Sequence, residues 1–581
     1  MIAWLRRFPP SDLAAWRTAD LWPDVGAAAA VTVLSIPQGL AYAMLAGLPP
    51  AMGLYASILP AILGGLFRSS RHVVAGPTNA LSLLVGTAVA GAAARTGASP
   101  VELAATLALV VGVIQMAAGA LRLGALVDYL SNAVVLGYIT GAAVLIAVGQ
   151  LQYVTNTPMA GVDVFHRLAS WLRGLDHADP RALALSIGTV AGILALRRVS
   201  KRIPGALVAI VVGVGLCMVF DLHAKGIRTI ADIAPVPATL PGFTLPSLEW
   251  VSLLLPAAVA TTVLSLVESG AVARSIASRT GDRIDPSMEF IGQGLANVAA
   301  AVNGGYPVSG SLGRSMANWR SGARTRLAGP IGGVFVALVV LVAGPLVDHT
   351  PLASLAGILL VLAGDLVEVP RIRLTMKSGG GDIAAFLVTL VGAWVFELDK
   401  AIYLGVVVSL VLFLRRARLI TVVPLVVDAD HHLREAAEDG APTRTCSAVR
   451  ILHVEGSLFF GAASELQEDL DEVLVDTSVR VLILRLKRCQ GLDVTTAEVL
   501  RSVLEAMRRD GRHLVLVGMR PPVMARMEAL GLVEAFGREN LFPTEPGWFV
   551  AMDRAVHHAL GLVGDHEADC PLHGYLAERR E

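Results

Sequence analysis

Two polar, glycine-containing segments interrupt long apolar stretches of this chain, and they constrain its fold more than any other feature. The segments are His72–Ala80 (HVVAGPTNA) and Tyr306–Asn318 (YPVSGSLGRSMAN), and 234 residues separate Gly76 from Gly310. A helix that is interrupted inside hydrocarbon must satisfy its freed backbone groups with protein or water. Two such helices in corresponding halves of a chain are typical of binding sites in transporters built from inverted repeats.

Most of the chain has the composition of a membrane protein. Of its 581 residues, 54% are hydrophobic and 16% are charged, which excludes an ordinary soluble enzyme. The formal net charge is zero, so no basic field predicts a nucleic-acid partner. The basic residues that flank the apolar stretches fall on one side if the spans alternate, which predicts an inner-membrane protein with cytoplasmic N and C termini.

The apolar stretches form two sets of seven predicted spans, each near the length that crosses a bilayer. With an odd number per set, the second set runs in the opposite sense, as in an inverted repeat. Pro50 and Met52 match Pro286 and Met288 at an offset of 236, close to the offset of the interrupted segments. We therefore predict an α-helical membrane protein of fourteen spans, two of them half helices. The spans are predicted at 24–46, 50–67, 74–94, 101–121, 126–149, 181–197 and 204–220, then at 250–273, 286–302, 308–319, 327–347, 351–368, 381–397 and 400–419.

The composition changes abruptly after the last span. We predict a transmembrane domain over 1–423, a charged linker over 424–446, a small cytoplasmic α/β domain over 447–560 and a tail over 561–581. Strands that alternate with helices indicate the α/β class. Within the tail, His566, Cys570 and His573 are either metal ligands or solvated residues of an irregular segment.

Several motifs, taken in order, resemble the sulfate permease family, which includes relatives of pendrin and prestin, followed by a STAS domain. The resemblance covers about residues 20 to 545. It implies two inverted repeats of seven spans, a substrate cavity between the third and tenth spans, anion transport and a homodimer. The motifs are Pro37, Gln38, Ala41 and Tyr42, Gly47–Tyr55, Gly76–Thr78, Glu268 in ESGAVARSIA, PVSGSLGRSMAN, and Val454–Ala462.

The two half helices predict an anion site. Their N termini carry free amides and a partial positive charge, and both are expected to point at one small volume. In the alternative interpretation, Gly76, Pro77 and Gly310 only mark kinks that pack against neighbouring helices. The amides that we expect to hold the anion are those of Thr78, Asn79 and Ala80, and of Ser311, Leu312 and Gly313.

Three side chains are candidates for the wall of this site. Arg314 either offers planar, bidentate donors to an oxyanion or pairs with Glu268. Similar transporters carry a hydroxyl residue before this arginine, whereas Gly313 stands here. Gln38 and Tyr42 are four residues apart and share one helix face, so we expect both to line the cavity, although Gln38 could instead bond a neighbouring helix.

Glu268 is the candidate coupling residue. A carboxylate in a membrane span is costly unless a proton, a cation or an arginine compensates its charge. In sodium-using relatives a hydroxyl residue stands one turn later, whereas Val272 supplies no oxygen ligand here. We therefore predict proton coupling, with sodium as the alternative.

In the soluble domain, Asp493 and Thr495 are candidate regulatory residues. Asp493 is placed to N-cap a helix, and Thr495 is either phosphorylated or serves only the helix start, since Thr496 replaces the glycine that usually follows. Gly379–Gly381 lacks a Walker lysine, so no nucleotide or other cofactor is expected.

These observations predict a transporter and no enzyme. The function that they favour is secondary active transport of an inorganic anion, sulfate foremost, by proton symport and alternating access. Bicarbonate and dicarboxylates remain alternatives, and so does a membrane-anchored anion receptor that signals through its STAS domain.

Overall fold

The computed structural model describes residues 17–124, 131–161, 163–200, 204–243, 245–436, 444–547, 549–564 and 570–578. The chain divides into two compact units, Met1–Leu410 and Val411–Glu581. Each unit has its own hydrophobic core, built of buried aliphatic side chains.

The first unit is helical apart from two very short strands, and a helix occupies each predicted span. Proline stands at the first or second position of many helices, where its missing N–H has no intrahelical acceptor to lose. The first half contains α1 (Leu21–Leu45), α2 (Pro50–Tyr55), α3 (Leu59–Phe67), β1 (Ala75–Gly76), α4 (Asn79–Thr96), α5 (Pro100–Ala120), α6 (Asn132–Val154), α7 (Val164–Arg173), α8 (Pro180–Val199) and α9 (Gly205–Val219). The second half contains α10 (Val251–Thr280), α11 (Pro286–Val302), β2 (Ser309–Gly310), α12 (Leu312–Arg320), α13 (Ala328–Val347), α14 (Leu352–Leu366), α15 (Val369–Thr375), α16 (Gly380–Val395) and α17 (Leu398–Ala417).

Many of these helices suit a bilayer. Within the described residues, eight helical segments are long and apolar enough to span it, and the shorter Gly205–Val219 and Gly380–Val395 are also apolar. The membrane class is thus confirmed, while the count of fourteen spans stays a prediction.

The helices of the first unit form two bundles, and each bundle takes helices from both halves of the chain. In one, α11 packs against α3 and α5, and α13 packs against α1 and α3. In the other, α6 packs against α14 and α16, and α8 packs against α9 and α14. Corresponding segments of the two halves therefore lie in the same bundle, as an inverted repeat requires.

The second unit is a layered α/β domain around a six-stranded sheet of order β4-β3-β5-β6-β7-β8. The neighbours from β5 to β8 are parallel, whereas β3 is antiparallel to both β4 and β5. The strands are β3 (Thr421–Val427), β4 (Leu433–Glu435), β5 (Val449–Ser457), β6 (Val481–Gln490), β7 (His513–Met519) and β8 (Leu541–Pro543). The helices are α18 (Ala463–Val475), α19 (Val494–Arg509), α20 (Pro521–Ala529), α21 (Leu532–Phe536), α22 (Val550–Val563) and α23 (Pro571–Glu578).

The structure corrects two predicted segments. The predicted linker over 424–446 contains the end of β3 and all of β4, because the backbone of β3 pairs with β5 and its residues Val426 and Val427 are buried. The predicted tail over 561–581 contains α23, whose Leu572 and Tyr575 are buried in the core. In the same tail, Cys570 is buried, and His566 lies outside the described residues.

A close glycine contact between α5 and α11 generates the first prediction. At Gly112 an added methyl group would lie 2.7 Å from the carbonyl oxygen of Gly294 and 2.8 Å from the backbone nitrogen of Val298. Gly112→Ala should therefore force the helices apart and destabilise the first unit by about 1–3 kcal/mol, measured as thermal unfolding in detergent.

The matched control is Gly188→Ala in α8, where an added methyl group meets no atom within 4 Å. This substitution should leave stability unchanged or raise it by up to ~1 kcal/mol, because alanine favours the helix over glycine. Equal effects of the two substitutions would contradict the packing that we describe.

Candidate functional site

The two interrupted segments pair with each other at the centre of the first bundle. Strands β1 and β2 are antiparallel, with Ala75 opposite Gly310 and Gly76 opposite Ser309. The backbone N–H of Ser311 extends the pairing by donating to the carbonyl oxygen of Val74 over 3.1 Å. Because β1 and β2 are corresponding elements of the two halves, their antiparallel pairing is the relation that an inverted repeat predicts.

Helices α4 and α12 begin directly after these strands. Their first residues are Asn79 and Leu312, so both N termini lie at the paired strands. The first amides of a helix have no intrahelical acceptor and carry the positive end of its dipole. The two helix starts therefore lie close together, as the sequence predicts, and Ser311 caps α12 by accepting the Arg314 N–H over 3.5 Å.

The predicted amide positions differ in exposure. Leu312 and Gly313 are exposed, and Asn79 is half-buried. Ala80 is fully buried, and its carbonyl oxygen accepts a hydrogen bond from the hydroxyl of Tyr138 over 3.3 Å. The start of α12 is therefore more exposed than the start of α4.

Arg314 is fully buried against the paired strands. Its Nη2 donates to the carbonyl oxygen of Pro77 over 2.6 Å, while its Nε and Nη1 make no hydrogen bond among the described residues. A methyl group at Gly76 would lie 2.6 Å from Nη1 and 2.8 Å from Nη2, so the guanidinium occupies the space that glycine leaves. Burying a guanidinium whose N–H groups lack acceptors costs free energy, unless a ligand supplies the missing acceptors.

Gln38 and Tyr42 lie in α1, which packs against α12. A methyl group built on Gly313 would have the Gln38 Nε2 as its nearest neighbour, at 4.0 Å, which brings these two predicted residues together. The Gln38 Oε1 is buried without a hydrogen bond in the described part of the chain, and Tyr42 is 5% exposed.

Glu268 in α10 contacts the start of α4. Its Oε2 accepts a hydrogen bond from the hydroxyl of Thr78 over 2.9 Å. Among the described residues, no ion pair joins Glu268 to Arg314, so the salt bridge considered from the sequence is not formed. Val272, one turn later, packs with Val73 and Ile276 in an apolar cluster and brings no oxygen near.

A buried polar network supports the paired strands, and the sequence analysis missed it. The Asn297 Oδ1 accepts the Val308 N–H over 2.7 Å, and the Gln293 Nε2 donates to the Val308 carbonyl oxygen over 2.8 Å. Arg68 donates to the Gln293 Oε1 over 2.9 Å and lies 3.9 Å from the Glu289 carboxylate. Glu289, Gln293 and Asn297 stand four residues apart on one face of an otherwise apolar helix, which is the signal that could have found them.

In the second unit, Asp493 caps α19. Its Oδ1 accepts the Thr496 N–H over 2.9 Å, and its Oδ2 accepts the Phe460 N–H over 2.5 Å. Thr495 is exposed at the same helix start. The capping geometry is thus observed, while a regulatory role of either residue stays a prediction.

Comparison with known proteins gives this geometry a family. The family model described as Sulfate permease family matches residues 21–389, and the STAS domain model matches residues 441–546. The chain belongs to the sulfate permease family. The members of this family are transporters and not enzymes. They are multi-pass membrane proteins that transport anions.

Relatives cover most of the chain. The chain is 28% identical over 526 residues to the putative sulfate transporter YvdB of Bacillus subtilis, covering 89% of this chain and 95% of the relative. It is 28% identical to human solute carrier family 26 member 6, covering 80% of this chain and 63% of that protein.

Solved structures share the fold. The murine Slc26a9 anion transporter in the inward-facing state superposes with a TM-score of 0.86 at 20% identity, covering 95% of this chain and 93% of that chain. The transmembrane domain of the cyanobacterial bicarbonate transporter BicA superposes with a TM-score of 0.60 at 22% identity, covering 68% of this chain and 98% of that chain.

The contact between Gly76 and Arg314 generates the second prediction. Gly76→Ala should displace the guanidinium and weaken anion binding by more than about tenfold, which corresponds to ~1.4 kcal/mol. Equilibrium binding of radiolabelled sulfate to the purified protein measures the loss. Gly91→Ala, later in α4, where an added methyl group meets no atom within 4 Å, should retain affinity within about threefold. Equal losses in both variants would show that the position of Arg314 does not control binding.

Proposed function

We propose that this chain is a secondary active transporter of inorganic anions, with sulfate as its main substrate. The observation that carries the proposal is the pairing of β1 with β2, which brings together the starts of two helices and the unsatisfied donors of Arg314. Backbone amides and a guanidinium are the donors that bind oxyanions in proteins.

Sulfate is favoured by the distribution of these donors. A tetrahedral dianion can accept hydrogen bonds from α4, from α12 and from Arg314 at the same time. The residues proposed to contact it are those predicted from the sequence: Gln38, Tyr42, Thr78, Asn79, Ala80, Ser311, Leu312, Gly313 and Arg314. Bicarbonate or a small dicarboxylate is the alternative substrate, because a carboxylate accepts from the same donors.

Glu268 is the proposed coupling residue, and a proton is its proposed partner. The carboxylate has two hydroxyl partners, Thr78 and Ser309, and the apolar Val272 stands one turn later, where a further oxygen ligand would be needed. A sodium ion requires several oxygen ligands, whereas a proton requires only the carboxylate. Sodium coupling remains the alternative.

The two bundles supply the moving parts for alternating access. The paired strands, α4, α10 and α12 belong to one bundle, and α6, α8, α14 and α16 form the other. We propose that the bundle that carries the anion moves against the other, so that the site opens to each side in turn. We further propose an inner-membrane homodimer with cytoplasmic termini, whose STAS domain tunes transport through the Asp493 and Thr495 region.

Uptake into proteoliposomes tests the proposal. Radiolabelled sulfate should accumulate when the outside is acidic, because protons that enter down their gradient bring the anion with them. Glu268→Gln and Arg314→Ala should each lower the uptake rate by more than about a hundredfold, or ~2.7 kcal/mol. The matched controls are Glu249→Gln and Arg320→Ala, which change exposed residues and should keep the rate.

The same experiment distinguishes a transporter from an anion receptor. Sulfate binding to the purified protein with no uptake under any ion gradient would favour the receptor. If both variants retained uptake, the assigned site would be wrong, whereas the proposal that the protein is a transporter would stand.

Ion replacement generates a further prediction about coupling. Substituting choline for sodium should leave sulfate uptake unchanged, whereas collapsing the proton gradient with an ionophore should abolish accumulation. A strict requirement for sodium would contradict proton coupling and support the alternative.

Competition by bicarbonate or succinate that is stronger than competition by unlabelled sulfate would identify a different main substrate.

A further inference from the structure

A cluster of one histidine and two carboxylates lies on one face of the sheet in the second unit. His453 and Glu455 are two residues apart on β5, so both side chains project from the same face. On β3, Val423 stands opposite His453, and Leu425 stands opposite both Ile451 and Glu435. The strand register therefore brings Glu435 of β4 to this face as well, although β3 separates β4 from β5.

The three side chains converge. One nitrogen of His453 and one carboxylate oxygen each of Glu435 and Glu455 all lie within 4.8 Å of one another. His453 is fully buried, Glu455 is half-buried and Glu435 is exposed. The cluster thus has a fixed interior ligand and an open side through which an ion can enter from water.

Both ring nitrogens of His453 face oxygen acceptors. Its Nδ1 lies 3.3 Å from the carbonyl oxygen of Arg485, and its Nε2 lies 2.8 Å from the Glu455 Oε1. A neutral imidazole carries one N–H, so it can satisfy only one of these two acceptors. When Nδ1 donates to the carbonyl, the Nε2 lone pair faces the carboxylate and a cation is needed there.

That cation is either a proton or a metal ion, and the convergence of a second carboxylate, Glu435, on the same point favours the metal ion. A histidine that donates Nδ1–H to a backbone carbonyl and presents Nε2 to carboxylates has the arrangement found in metal-bound histidines. Imidazole and carboxylate together suit zinc and similar divalent ions.

We propose that His453 Nε2, Glu455 and Glu435 bind one divalent transition-metal ion of the zinc class in the STAS domain, with the remaining coordination positions open to water. Arg488 competes with this ion, because it forms an ion pair with the Glu455 Oε1. Arg488 is exposed and can turn into water when the ion binds, so the competition weakens binding without preventing it. This proposal is independent of the transport function.

Titration with Co²⁺ tests the proposal on the purified full-length protein after treatment with EDTA and removal of the chelator. One Co²⁺ per chain should bind, with the visible spectrum of nitrogen and oxygen ligands, and Zn²⁺ should displace it. Glu435→Gln changes only an exposed side chain, so it tests the site without endangering the fold. Glu435→Gln and His453→Gln should each weaken binding by at least about tenfold.

Two further variants sharpen the result. Arg488→Gln should tighten Co²⁺ binding, because it removes the competing charge, whereas Glu498→Gln, at an exposed position of α19, should have no effect. Absence of stoichiometric binding would overturn the proposal. So would a sulfur-to-metal charge-transfer band, or an affinity that Glu435→Gln and His453→Gln leave unchanged.

Discussion

The fold of the first unit depends on the backbone pairing of two short strands inside a helical bundle. Where the helices are interrupted, their N–H and C=O groups would otherwise face hydrocarbon, at a cost of about 1–3 kcal/mol for each unpaired group. Strands β1 and β2 satisfy one another, and Gln293 and Asn297 satisfy the backbone of Val308 beside them. The two interruptions are stable because each half of the chain provides hydrogen-bond partners for the backbone of the other.

The same pairing accounts for the positive charge of the proposed site, which contains few basic residues. It fixes where α4 and α12 begin, and therefore where their free amides point. Gly76 leaves room for the Arg314 guanidinium, whose contact with Pro77 anchors it while other donors stay open. The interruption that shapes the bundle thus also leaves the backbone amides that we propose bind the anion.

Sequence patterns predicted much of this architecture. The apolar stretches, the two interruptions and the alternation of strands and helices in the second unit are local signals. A helix lies in each predicted span, whereas β3, β4 and α23 lie partly or wholly in segments predicted as linker or tail. The family that the motifs resemble was confirmed by comparison. Contacts between distant segments could not be predicted, because no local pattern encodes the register of β1 with β2 or the contact of Gly76 with Arg314. The pairing of β3 and β4, and the meeting of Glu435 with His453, are non-local in the same way.

The central claim is that an anion lies between the N termini of α4 and α12. An anomalous diffraction or cryo-EM measurement with selenate, an electron-rich analogue of sulfate, tests it most directly. The account predicts one selenium position roughly 3–5 Å from the backbone nitrogens at the starts of both helices, with Arg314 in contact. A selenate bound elsewhere in the first unit, with the space between these helix ends empty, would contradict it.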